Sequence, residues 1–146
     1  MLDEKDWQII EELQKDSRQS TADIARKTKI PRVTVHDRIQ KMKKSGAIAK
    51  FTVSLDGKKI GKPTVAFVMV KALPNQEADQ QKLAHNITRI PDVIEAYTLA
   101  GEWDLLVKIR AKSIEDAGSV VVSKIRQVKG VERTFTLAAF SELKSD

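Results

Sequence analysis

The stretch "STADIARKTKIPRVTVHDRIQKMKKSG", Ser20 to Gly46, carries two short helical patterns separated by a turn of a few residues. Ser20 suits an N-cap and Asp23 follows three residues on in a capping-box arrangement, so "STADIARKT" predicts one helix. Its buried side is Ile24 and Ala25, a small contact that lets another helix approach closely. Past the turn around Lys29–Pro31, Val35, Ile39 and Met42 recur at i, i+4 and i+7 and predict a second helix. Gly46 stops it as a C′ glycine does. Two helices joined by a short turn, the second with a narrow apolar stripe, make the pattern of a helix-turn-helix.

The flank of the second helix carries Arg32, Arg38, Lys41, Lys43 and Lys44 against one acid, Asp37. In a helix-turn-helix this element lies in the DNA major groove and its N-terminal residues meet base edges. Off the buried stripe near that end stand Arg32, Val33, His36 and Asp37, with Gln40 one turn on. Arg32 can donate bidentately to guanine, Gln40 can pair with adenine, and Val33 or the Thr34 methyl can touch a thymine methyl. Lys41, Lys43, Lys44 and Lys50 read as phosphate contacts, which position without specifying. Asp37 is repelled by phosphate, and two readings stand: a pair with Lys41 at i+4, or acceptance from a cytosine amino group. Arg38 also has two readings, a phosphate contact or a brace within a helical core.

Working outward, Leu2, Ile9, Ile10 and Leu13 sit at helical intervals behind Asp3, an N-cap residue, and complete a three-helix unit over residues 1–46. Charge follows the same division. Residues 1–62 hold 15 Lys and Arg against 9 Asp and Glu, whereas residues 63–146 hold 11 of each. A basic half beside a neutral one points to a polyanionic partner for the first; a solvated, Lys-rich helical face is the plainer account of the same charge.

A chain of 146 residues can bury one sizeable core or two small ones. No apolar run approaches the roughly 20 residues needed to span a bilayer, and the acidic "MLDEKDWQ" does not open a signal peptide, so a cytoplasmic protein is expected. The absence of cysteine excludes a disulfide framework and a thiolate metal site. His36 and His85 are the only histidines, without a ligand cluster around either, and neither a metal nor a cofactor is expected.

The C-terminal half contains an internal echo. Residues 90–100, "IPDVIEAYTLA", parallel residues 128–138, "VKGVERTFTLA": Val93 matches Val131, Tyr97 matches Phe135, and Thr-Leu-Ala recurs. Each segment alternates at period 2 and follows a helical stretch. The first such helix is predicted from about Gln76 to Arg89, burying Leu83, Ala84, Ile87 and Ile90. The second is predicted from about Ile114 to Gln127, burying Ile114, Ala117, Val121 and Ile125, although Val120-Val121-Val122 lowers its helix propensity. A strand precedes each, "TVAFVMVKA" (64–72) and "LLVKIRA" (105–111). The order β-α-β-β-α-β predicts a ferredoxin-like sandwich with right-handed crossovers, and the whole chain is of the α+β class. Strand 64–72 is apolar on both sides, Ala66, Val68 and Val70 on one and Val65, Phe67 and Met69 on the other. Helices can cover one face of so small a sheet, so the other calls for a second copy of the chain. Between the halves, residues 47–63 form a linker in which Ile48, Phe51, Val53 and Leu55 read as a strand before a turn at Asp56–Gly57.

Taken in order, these motifs resemble the Lrp/AsnC (feast/famine) family of transcription regulators over nearly the whole chain. The residues that carry the likeness are the opening "LDEKDWQIIEELQKDSRQSTADIARKTKI", the "TVHDRIQKMKKSGAI" recognition pattern, the "AGEWDLLVKI" turn and the closing "VKGVERTFT". The resemblance implies an N-terminal DNA-binding domain at 1–46, the linker at 47–63, and an effector-binding and oligomerisation domain at 64–146. It also implies sheet-mediated dimers that assemble into tetramers or octamers, with an amino acid or related small molecule bound between dimers. It assigns effector contact to Gly101, Glu102, Trp103 and Asp104, and places Thr134 and Thr136 near the same pocket. Chemically, Asp104 can accept from an ammonium group, the Gly101 backbone N–H can meet a carboxylate, and Trp103 can wall the pocket; a hairpin turn anchored by its tryptophan is the structural alternative. One departure is Pro31, where the family often has serine, so side-chain capping of the recognition helix is lost while a helix start remains acceptable.

The expected function is therefore a homo-oligomeric, sequence-specific regulator of transcription that responds to an amino-acid-like effector. An assembly module whose helix-turn-helix is a protein contact is the second class, disfavoured by the charge asymmetry. Catalysis is not expected, because the sequence offers no Ser/His/Asp set, phosphate-cradling glycine loop or metal cluster.

Overall fold

The computed structural model describes residues 1–74 and 77–143, in two compact units, Met1–Val53 and Ser54–Asp146. Three helices form the first: α1 (Glu4–Lys15), α2 (Thr21–Thr28) and α3 (Arg32–Ser45). Asp3 caps α1 in a reciprocal box: its carboxylate accepts from the Asp6 N–H, and Asp6 accepts from the Asp3 N–H, both at 3.0 Å. Ser20 caps α2 by accepting from the Asp23 N–H, but its hydroxyl donates to the Asp23 carboxylate at 2.7 Å, so the box closes side chain to side chain. α3 starts at Pro31 without a side-chain cap and stops at Gly46, whose φ of 80° is the left-handed turn that glycine accepts freely. Ile9, Ile24, Ile30, Val35 and Met42 are buried together, with Leu2, Ile10, Leu13, Ala25, Ile39 and Ile48 packed around them.

Arg38 resolves to the brace. Its guanidinium donates to both carboxylate oxygens of Asp3 at 2.7 Å and to Asp6 at 2.9 Å, tying α3 to the first turn of α1. All three bonds leave from one terminal nitrogen of the half-buried guanidinium, so the brace is the role seen for Arg38 within the helical unit.

The second unit is a four-stranded antiparallel sheet in the order β2-β3-β1-β4, from β1 (Thr64–Ala72), β2 (Val93–Thr98), β3 (Leu105–Ala111) and β4 (Val131–Ala138). The helices are α4 (Glu77–Thr88) and α5 (Ile114–Val120), and α5 runs into a π-helical segment, Val121–Ile125. This is the ferredoxin-like arrangement. The repeated motif explains itself in the topology, since β2 and β4 are the two edges of the sheet, each reached after a helix. Ala66, Val68, Val70, Leu105, Val107 and Ile109 face the helices and are buried against Leu83, Ile87, Ala117, Val120, Val121 and Ile125. The other face presents Phe67, Met69, Leu106, Tyr97, Phe135 and Leu137, none of them buried, and neither helix packs there.

Three expectations are corrected. The linker strand does not form: residues 47–63 hold only turns and bends, and Phe51, Val53 and Leu55 are exposed. Their alternation is imperfect, and a strand needs a ladder partner that this segment lacks among the described residues. The helix predicted to reach Gln127 leaves α geometry at Val121, where the Arg126 N–H donates five residues back to the Val121 carbonyl at 2.9 Å. The three consecutive valines disfavour a regular turn, and the wider one turns both Val120 and Val121 toward the sheet. Ile114 is 65% exposed, not buried: Ser113, the N-cap, takes the inward place one turn before Ala117, which leaves Ile114 to the side. The predicted helix start at Gln76 lies outside the described residues. Among the described residues, no helix is long and apolar enough to cross a membrane.

Two predictions follow from these contacts. Ile125→Ala should cost roughly 2–5 kcal/mol of stability, as a core truncation does, and Ile114→Ala less than about 0.5; denaturant unfolding of the two variants distinguishes them. The second concerns acid. The charge-assisted bond from Arg38, and after it the Asp6 N–H, hold the Asp3 carboxyl below its ordinary value. A lowered folded-state pKa contributes its stability in full above the unfolded value, about 3.9, and loses it as pH falls through the folded one. Thermal melts from neutral pH down through that range should show Arg38→Gln less stable at neutral pH and less steeply weakened by acid than the parent.

Candidate DNA-reading helix and effector turn

The outward face of α3 follows from its buried one. With 3.6 residues per turn, the side opposite Val35 and Met42 is the line Val33, Asp37, Gln40 and Lys44, flanked by Arg32, His36, Lys41 and Lys43. All eight are exposed. Thr34 is half-buried, and Arg38 faces α1. Lys41, Lys43 and Lys44 form no ion pair among the described residues, whereas Lys15, Arg26 and Lys27 are paired with Glu12 or Asp23. Lys43 lies 5.9 Å over the Phe51 ring, and Arg32 makes one long contact, 3.4 Å, to the Thr21 hydroxyl. The free positive charge of this helix is therefore on the face away from the core. Of the two readings of Asp37, the pair with Lys41 is absent among the described residues.

The second candidate site is the turn between β2 and β3. It closes where the Leu99 N–H donates to the Asp104 carbonyl at 2.8 Å, and Gly101 at its tip takes a φ of 140°. Asp104 extends the β3–β1 ladder by two bonds. Its N–H donates to the Val70 carbonyl at 3.0 Å, and its carboxylate accepts from the Ala72 N–H at 2.8 Å, where the β1–β4 register shifts. Lys71, the single charge in β1, donates to the Glu102 carbonyl at 2.5 Å and stands 3.7 Å from the Asp104 carboxylate. Asp104 is thus first a structural residue, with an oxygen still available on its exposed side.

The six residues that sequence reasoning placed at one pocket lie on two faces of the sheet. Asp104 lines a cleft of about 370 Å³ against α4, together with Ala72, Gln81, Leu83, Thr98 and Leu99. Trp103 lies on the opposite, uncovered face, 6.1 Å from Phe135 between ring centres and beneath the Arg133 guanidinium at 4.9 Å. Glu102 reaches the same arginine at 3.4 Å. Thr134 and Thr136 pair with Val70 and Val68 on the helix side of β4 and do not line the cleft. The pattern reading missed Lys71, Ala72, Gln81, Arg133 and Phe135. Lys71 carried a usable signal, being the one charge in an otherwise apolar strand.

Comparison with known proteins bears on both sites. Residues 2–43 match the AsnC-type helix-turn-helix domain and residues 65–146 the Lrp/AsnC ligand binding domain. An HTH-type transcriptional regulator of Pyrococcus furiosus is 40% identical over 146 residues, covering 100% of this chain and 97% of its own. The structure of Bacillus subtilis LrpC is 29% identical with a TM-score of 0.86, covering 100% of this chain and 99% of that one. The regulator NMB0573 of Neisseria meningitidis, solved as a complex with L-Met, shares the fold at a TM-score of 0.90 and 19% identity, over 99% of this chain and 94% of its own. With a helix-turn-helix whose free cations face outward and a ferredoxin-like domain following it in sequence, the chain belongs to the Lrp/AsnC family of transcription regulators.

Proposed function

We propose that this regulator binds its operators as a homo-oligomer in the cytoplasm, reading DNA with α3, and that an amino acid or related small molecule at the turn Gly101–Asp104 shifts its DNA binding or assembly. The observation that carries the DNA reading is the exposed line of α3, where Lys41, Lys43 and Lys44 have no ion pair among the described residues while Arg38 is held by Asp3 and Asp6 of α1. Arg32, Val33, Thr34, His36 and Gln40 are the base-reading candidates, and Lys41, Lys43 and Lys44 the phosphate contacts. In a dimer, two such helices meet half-sites about one helical turn apart.

The effector reading rests on the cleft beside Asp104. One carboxylate and apolar walls from Leu83 and Leu99 suit the ammonium and side chain of an amino acid. The L-Met complex of NMB0573 supports that ligand class. Trp103 sits on the other face of the sheet, so its part is in assembly, beside Phe135 and Arg133. The uncovered face is where a second copy binds, which buries apolar side chains that one chain leaves in water.

The test is binding to duplex DNA from the gene's own promoter region against random duplex, across a salt series, with and without a panel of amino acids. Lys43→Ala should weaken all sequences alike and lower the salt slope by about one, whereas Arg32→Ala or Gln40→Ala should lose preference for the promoter. Asp104→Asn keeps an acceptor for the Ala72 N–H but removes the charge; it should bind DNA normally and lose the amino-acid response. For assembly, Leu137→Asp on the uncovered face should shift sedimentation from oligomer toward monomer. No DNA binding at low salt would overturn the reading of α3.

A further inference from the structure

Acids in the helical unit are largely engaged. Asp3 and Asp6 hold Arg38, Glu12 holds Lys15 and Lys27, and Asp23 holds Arg26. Asp37 differs. It is the one acid of α3, it is exposed, and its carboxylate has neither a hydrogen bond nor an ion pair among the described residues, with Lys41 one turn on left free as well. Its place is central, in the outward line between Val33 and Gln40. At a rise of about 1.5 Å per residue it stands roughly 6 Å beyond the first and 4.5 Å before the second. An unpaired negative charge there works against every phosphate that the neighbouring lysines attract.

A carboxylate is an acceptor only. In the major groove guanine offers N7 and O6 and thymine offers O4, all acceptors, and these repel it. Adenine offers its N6 amino group with acceptors on both sides, N7 and the O4 of its paired thymine. Cytosine offers its N4 amino group with an acceptor on one side alone, the O6 of its paired guanine. Cytosine is therefore the base that gives this carboxylate a donor at least electrostatic cost.

We propose that Asp37 is a specificity-determining residue that accepts from a cytosine amino group in each half-site and disfavours DNA without one at that position. The inference rests on the reading of α3 as the groove-binding element. The lysines attract any duplex, and Asp37 subtracts from that attraction wherever its donor is missing, which widens the ratio between operator and random DNA.

The test is enrichment from a pool of randomised duplexes by the full-length protein, Asp37→Ala and Asp37→Asn, followed by affinity measurements on the selected and on random duplex. The parent should select C·G at one symmetric position in each half-site. Asp37→Ala should level that position alone, bind random duplex more tightly, and lower the selected-to-random ratio about tenfold. Asp37→Asn should move the preference toward A·T, because an amide pairs bidentately with adenine. The side chain is exposed and makes no hydrogen bond or ion pair among the described residues, so both variants should fold and melt no earlier than the parent by more than about a degree or two. An unchanged consensus and ratio in Asp37→Ala would overturn the role of Asp37 and leave α3 as the reading helix. A parent that enriches no sequence and binds no duplex would overturn both.

Discussion

A four-stranded sheet with two helices has one face too few covered, and much of this molecule follows from that constraint. β1 is central, so its side chains meet neighbours on both sides of the sheet. Val68 and Val70 are sealed beneath α5 and the π-helical segment, while Phe67 and Met69 lie on the side that neither helix reaches. Tyr97 on one edge and Phe135 on the other extend the same apolar surface. Hydrophobic burial is the main favourable term in folding, and leaving such a surface in water forfeits part of it. The repeat within the sequence now has a reason. Each half supplies one edge strand, and each edge strand contributes one aromatic side chain to the uncovered face.

Polar groups divide in a comparable way. In the helical unit the structure uses Arg38, Lys15, Lys27 and Arg26 in ion pairs and, among the described residues, leaves Lys41, Lys43 and Lys44 without one. A charge held by a neighbouring acid releases no counterion on meeting a phosphate, so the number of cations matters less than which are unpaired. The same distinction applies to Asp104. Its backbone and side chain both continue the ladder onto β1, so the residue fixes the turn whether or not anything occupies the cleft.

Much of this was legible in the sequence because periodicity reports which side of an element is buried. Ile24, Val35 and Met42 in the helices, and Ala66, Val68 and Val70 in the sheet, were all found that way. The caps at Asp3 and Ser20 were local, within four residues, and were legible for the same reason. The rest depended on contacts that periodicity does not encode. Arg38 meets acids 32 and 35 residues away, and its two readings were equal until those partners were placed. The π-helical turn brings Val120 and Val121 inward together, which a regular repeat does not place, and Ile114, at the helix start beside its Ser113 cap, stays outside the core. The linker alternates weakly and without a partner strand cannot use its alternation. The turn 101–104 looked like one site because its residues are adjacent, yet neighbours at a hairpin end project to opposite faces of the sheet.

That last point constrains how a ligand at this turn can act on assembly. A ligand shifts an equilibrium only through unequal affinity for its two states. The cleft with Asp104 lies on the helix side, and Trp103 with Phe135 and Arg133 lies on the side that is free to meet another copy. Both groups belong to one turn pinned by the Leu99–Asp104 bond, by Asp104 onto Val70 and Ala72, and by Lys71 onto Glu102. A ligand at such a turn would act by exchanging one of these bonds. The bond available for exchange is the one from Lys71 to the Glu102 carbonyl, because that lysine also stands beside the Asp104 carboxylate. On the proposed reading, an ammonium group drawing on the same carboxylate would compete with Lys71 for it. What it would change first is then the tip of the turn, next to the tryptophan on the uncovered face.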